Sequence, residues 1–269
     1  MVKKGFAINI MSAGLIVLGG IIMYAIFHPV SQPHLQEYTK TDIYMMKNAI
    51  DSSKLYLHAS FEYSVYQGVY DTAKNGGFNK TVINRWEKVL EEGEFVSNVK
   101  TEILKNMDSY TYTDYRFLDL HSVRLPQYKE KDIELAESDG GIGVYFSGGV
   151  ISVSKRDEQE VIVLESSSSM GKIYEIDLFG MYDKARQFYN QVRNSCESFS
   201  DADVGKERET HEGDFEITQK VLSLDKTATS CKGEVRVSIT EEDPGEFPVF
   251  NGTDVSFEPV SFEFLVEIT

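Results

Sequence analysis

Few side chains in this sequence have the spacing that catalysis requires. The histidines are His28, His34, His58, His121 and His211. None forms an H-E-x-x-H metal pair, and no G-x-S-x-G elbow offers an activated serine. His211 stands among acids, where exposure is expected, and His58 falls mid-helix, where an interface suits it better than a reaction. Carboxylates are too abundant for any two to stand out. No catalytic residue, metal ligand or cofactor is assigned, although distant residues can still assemble a serine or carboxylate site.

Two stretches come closer to a binding chemistry. "DADVGKERETHE" sets Asp201, Asp203, Gly205, Glu207, Glu209 and Glu212 at the alternating spacing of a calcium loop. Such a loop needs its sharp-turn glycine one position later, where Lys206 stands, so the match fails at the residue that sets its geometry. "ESDGGIGVYFSGG" has the glycines of a phosphate cradle but neither a Walker lysine nor a G-x-G-x-x-G spacing, and its glycines suit hairpin turns. The four serines 166–169 read as a loop tip.

Three features bear on location rather than reaction. Cys196 and Cys231 are the only cysteines, and a disulfide between them would add about 4 kcal/mol on the chain-entropy model. The alternative is two unrelated thiols. Asn79 in "NKT" and Asn251 in "NGT" begin glycosylation sequons beside glycines in turn-like sequence.

These residues must be positioned by a chain that opens with an apolar segment. Phe6 to Phe27 carries no charge and only Asn9 and Ser12 as strongly polar residues. A helix of this length spans about 33 Å, which matches a hydrocarbon core of about 30 Å. A secretion signal would have a shorter core and an A-x-A exit, both absent here. Lys3 and Lys4 precede the segment, which keeps the amino terminus cytoplasmic and puts residues from about 28 onward outside. Membrane lipid is thus an expected partner.

The junction "KKGF", with its long apolar run, resembles the processing site of type IV pilin-like proteins over the first 27 residues. That resemblance implies a prepilin-type peptidase cutting after Gly5 and leaving Phe6 as the mature amino terminus. It also implies that the apolar helix becomes the packed core of a filament, joining like or unlike subunits. Bacterial members carry a glutamate early in the mature helix, where this chain has Asn9 and no acid; archaeal members often lack it. An uncleaved signal anchor shows the same lysines and glycine.

Beyond Pro29 and Pro33, the apolar spacing predicts one long helix ending at Asn75-Gly76-Gly77, with Ile43, Met46, Ile50, Leu57, Phe61 and Val65 on its buried side. A second row, Ala49, Tyr56, Tyr63 and Tyr70, repeats every seven residues and makes the buried face wide. Packing or an aromatic ligand lining both fit these tyrosines. A second helix is expected from about Thr81 to Met107, folding back through "NGGFN", with Trp86 against the tyrosine row. Short β-branched runs then predict strands, one helix over "DLFGMYDKARQFYNQVRNSC", and three final strands over "FEITQKVLSL", "EVRVSIT" and "VSFEPVSFEFLVEIT".

The expected fold class is α+β. Its parts are a basic leader (1–5), a transmembrane helix (6–27), an extracytoplasmic helical stalk or hairpin (28–110) and an antiparallel β-rich head with one helix (111–269). Lys and Arg total 27 against 43 acids, a net charge of −16 with basic residues scattered among acids, so nucleic acid is not an expected partner. Two functional readings follow. One is a pilin-like structural subunit, minor or at the tip, of an extracellular filament. The other is an uncleaved single-pass binding or sensor module outside the cell membrane. Neither involves enzymatic activity; a third reading, an anchored extracytoplasmic enzyme, has no motif in its favour.

Overall fold

The computed structural model describes residues 40–79, 85–111, 114–117, 121–138, 141–156, 161–227, 229–243, 245–251 and 254–269. The expected leader and membrane helix, including Gly5 and Phe6, lie outside them. Among the described residues no helix is long and apolar enough to cross a membrane.

Helix α1 runs over 40–74. Met46, Ala49, Ile50, Leu57, Phe61, Val65, Val69 and Ala73 lie along one helical face and are all buried, whereas Ile43 is exposed. Ser53, Ser64 and Thr72 share the buried face and donate their hydroxyls to the carbonyls four residues earlier, at 2.6, 2.5 and 2.8 Å. These bonds satisfy polar groups that would otherwise be costly to bury. Gly76 and Gly77 then take positive φ of 67° and 84°, and their amides close onto the carbonyls of Ala73 and Thr72.

Strand β1 (Arg85–Trp86) follows, then helix α2 (Glu92–Tyr110), with Glu92 and Glu94 favourably placed in its first turn. The expected start near Thr81 is therefore corrected. Arg85 and Trp86 pair in parallel with Leu265 and Val266, so a distant strand captures residues whose own pattern reads as helix. Helix α2 returns antiparallel to α1, and the two backbones nearly touch at Gly68. A Cβ there would lie 2.7 Å from the Ile103 amide nitrogen.

The remaining elements are β2 (Asp114–Phe117), β3 (His121–Arg124), β4 (Ile133–Ser138), β5 (Gly141–Arg156), β6 (Val161–Tyr174), α3 (Leu178–Arg193), β7 (Glu207–Glu212), β8 (Phe215–Lys226), β9 (Cys231–Glu241), β10 (Glu246–Asn251), β11 (Asp254–Pro259) and β12 (Ser261–Ile268). One sheet has the order β1-β12-β9-β8-β7. In the other, the long β5 pairs with β6 along one side and with β3 and β4 along the other, while β2 extends β3. β10 and β11 form a separate hairpin. The run "VSFEPVSFEFLVEIT" is two strands rather than one, broken at Pro259 where the chain leaves the hairpin and buries Val260. The four serines lie within β6 rather than in a loop, with Ser168 turned inward to the Tyr128 hydroxyl at 3.0 Å. Gly148 and Gly149 form an irregularity inside β5, not a turn; Gly148 has φ +79°.

The expected α+β division into stalk and antiparallel head does not hold. The chain has a mixed α/β fold; among the described residues, three helices and the two five-stranded sheets share one apolar core. The wide face of α1 is covered by the sheets together with α2. Phe61 meets Phe146 of β5 edge-on at 5.2 Å, and Asp42 forms a largely buried ion pair with Lys155 of β5 at 2.8 Å. At the other end of α1, Gly76 and Gly77 abut Phe264 and Phe262 of β12. Trp86 accordingly packs not on the tyrosine row but against Phe264, Phe262 and Tyr189, and its Nε1 donates to the Gly76 carbonyl at 2.8 Å.

Candidate functional site

Tyr56, Ala59, Ser60, Glu62, Tyr63 and Tyr66 follow one another at helical spacing along the edge of α1 that the sheets leave open, and form one wall of a groove of about 700 Å³. Pro248, Val255 and Phe257 of the β10–β11 hairpin form the facing wall, and Tyr110 closes one end. Phe257 is 62 % exposed and Tyr63 42 % exposed, so apolar surface faces solvent on both sides.

The walls are fixed by polar contacts behind the rings. The Tyr56 hydroxyl donates to the Tyr110 carbonyl at 2.5 Å, satisfying a carbonyl that the end of α2 leaves without a helical partner. Tyr66 packs edge-on against Tyr174 at 5.1 Å and leans on Phe247 at 5.3 Å. Lys172 pairs with Glu62 and lies 5.9 Å above the Tyr66 ring. The hairpin is latched to α1 by Tyr70, whose hydroxyl donates to Glu258 while Lys74 donates to the same hydroxyl at 2.8 Å. That bond from Tyr70 holds the Glu258 carboxyl below the usual carboxylate range, and burial pushes the Tyr66 and Tyr70 phenols above theirs. The groove therefore offers neutral phenols, ring faces and one ion-paired acid. Apolar or planar groups fit a surface of this kind.

Elsewhere several charged residues are held in ion pairs. A smaller cavity of about 270 Å³ beside β1 holds Arg85, whose guanidinium meets Glu234 at 2.5 Å and Glu267 at 3.8 Å. Asp203 accepts from Ser200 and pairs with Arg208 at 2.7 Å, which holds its carboxyl well below the usual range. Glu207 pairs with Lys220 at 2.7 Å. Glu207, Glu209 and Glu212 are strung along extended β7 and do not converge on a common point. Among the described residues no group of three or more His, Cys, Asp or Glu comes together to hold a metal. Asp71 and Glu102 lie near enough, on α1 and α2, for their charges to interact. Asp71 accepts from Gln67 at 2.9 Å, and Glu102, 4 % exposed, is held by Lys105 at 2.9 Å. Burial, aided by the Glu102 charge, raises the Asp71 pKa.

Cys196 and Cys231 are joined in a disulfide with their Cα atoms 5.9 Å apart, tying the end of α3 to the start of β9. Asn79 is exposed just after the α1 turn, and Asn251 is the last residue of β10. His58 is exposed on α1, His121 opens β3, and His211 lies 3.1 Å from Glu242; His28 and His34 lie outside the described residues. The heptad row of tyrosines was visible in the sequence as one face. The hairpin that turns this face into a groove was not, because nothing local ties Phe257 to Tyr63. No protein-family model, curated protein or solved structure matches the chain.

Proposed function

We propose that the chain is a pilin-like structural subunit, in a minor or tip position, of an extracellular filament. Residues 6–27 would anchor it in the membrane and later pack with other subunits, after a prepilin-type peptidase cuts between Gly5 and Phe6. The observation that carries this reading is α1, which is already helical at residue 40, the first residue described, and packs into the shared core. A folded domain mounted on its own leading helix suits a subunit whose apolar segment bears the load of assembly. The disulfide fits an oxidising, extracytoplasmic setting, and exposed Asn79 fits a sugar-bearing surface. Mass spectrometry of the protein from native membranes or shed filaments should give an amino terminus at Phe6, and Gly5→Leu should retain the leader. A native protein that keeps Met1 overturns the proposal.

The aromatic groove favours a second reading, an uncleaved anchored module that binds an apolar partner. It predicts retention of Met1, fractionation with membranes only, and loss of partner capture in Phe257→Ser.

A further inference from the structure

Among the described residues, every edge strand but one carries a feature that discourages pairing. β1 has two residues and β2 four; β4 bears Glu134 and Glu137. β7 is Glu-Arg-Glu-Thr-His-Glu, β10 contains Pro248 and β11 ends on Pro259. β6 is the exception. It is 14 residues long, contains no proline, and among the described residues pairs only with β5, leaving its other edge open. The extra residue of the β5–β6 irregularity belongs to β5, so the open strand runs straight. Between Val161 and Gly171 it bears one charge, Glu165.

We propose that β6 is a self-association edge, at which two copies of this chain pair antiparallel about a two-fold axis through Ser168 and fuse their sheets into one. Two copies of net charge −16 repel, so a self-contact belongs where charge is scarcest. The register follows from the side chains. Odd-numbered residues of β6 face solvent and even-numbered ones mostly face inward up to Met170, so partners across the axis must share parity. Placing Ser168 opposite itself sets half-exposed Val163 opposite Ile173 of the second copy, and Ser167 opposite Ser169, each pair occurring twice. β-branched and hydroxyl pairs of this kind stabilise neighbouring strands. The two Glu165 side chains stay roughly 20 Å apart along the strands, so no like charges face each other. The edge lies in the folded domain and does not depend on how residues 6–27 are processed.

Full-length protein in detergent, spin-labelled at Ser167→Cys, tests this; with Cys196 and Cys231 bonded, the introduced thiol is the one labelled. In the stated register the two labelled Cα atoms lie about 8 Å apart, close enough to broaden the continuous-wave spectrum. The expected result is a dimer in sedimentation with a broadened spectrum. Replacing Ser167 and Ser169 together by Lys puts like charges opposite and should raise the dimer dissociation constant at least about 100-fold. Sedimentation as a monomer at every concentration, a dimer whose spectrum stays sharp, or a dimer that survives the double lysine substitution each overturns the proposal. If the double-lysine chain fails to fold, the spectrum of the labelled protein decides.

Discussion

Around Trp86, rings close on one another. Phe95 stacks flat on Tyr182 at 4.3 Å, Phe262 meets Trp86 edge-on at 6.1 Å, and Phe264 lies 4.6 Å from the indole. Along the open edge of α1, Tyr56, Tyr63 and Tyr66 are as aromatic, yet they share a groove with Val255 and Phe257 and leave ring surface in solvent. Polar atoms find partners in both regions. In the first, Tyr182 and Tyr189 donate inward to the carbonyls of Leu90 and Glu87 at 2.6 and 2.7 Å, so complete burial leaves no orphan, and burial pushes the Tyr182 phenol up to about 12. In the second, Tyr70 and Tyr66 turn to charged groups at the rim, Glu258, Glu62 and Lys172, which must stay near water. Aromatic content alone does not distinguish core from binding surface; how far other rings enclose each ring does.

The comparison breaks most visibly at Trp86. Trp86→Ala removes the shared centre of the closed cluster and should cost about 3–5 kcal/mol in urea unfolding. A loss under about 1 kcal/mol would mean that the cluster is not a core. Next is Gly68, between the two regions. Gly68→Ala gains up to about 1 kcal/mol of helix propensity but drives a Cβ into the Ile103 backbone, so a net loss of about 1–2 kcal/mol is expected. A stabilised variant would show that α2 can retreat.

A smaller effect tests the part-buried Asp71 between α1 and α2. The folded pKa of Asp71 lies above its unfolded value of about 3.9. The folded state therefore holds the extra proton in that window, and this group's contribution to stability rises as pH falls through the raised pKa and levels off below about 3.9. Thermal melts of wild type and Asp71→Asn across that range should differ in slope with this sign; parallel curves would remove Asp71 as the cause. The smallest effect belongs to the groove. Tyr63→Ser and Phe257→Ser should each change stability by less than about 0.5 kcal/mol, because both side chains already meet solvent. A larger loss would make the groove part of the core.

The sequence made some of this legible. The buried face of α1 from Met46 to Val65 follows from spacing, as does α3, whose seven buried residues recur with helical period and whose Asp177 caps its start by accepting from Gly180 at 2.9 Å. The two cysteines were a candidate pair by count, with unrelated thiols the alternative, and they are bonded. What escaped was set by distant partners. Residues 85–86 are a strand because β12 offers an edge, the serines of β6 are extended because β5 pairs with them, and α1 is a core element because two sheets cover it. Periodicity tells which side of a helix is hidden, not what hides it. The groove failed to show for the same reason, since its two walls lie some 190 positions apart along the chain.

The embedding of α1 has a mechanical consequence. A tension entering the domain at residue 40 would act along an axis of about 52 Å, parallel to rows of side chains that sheets and α2 grip from several directions. Such loading is shear rather than peeling. Contacts from Met46 to Ala73 would have to slip together instead of parting one turn at a time, and the Asp42–Lys155 pair at the entry would bear the first strain.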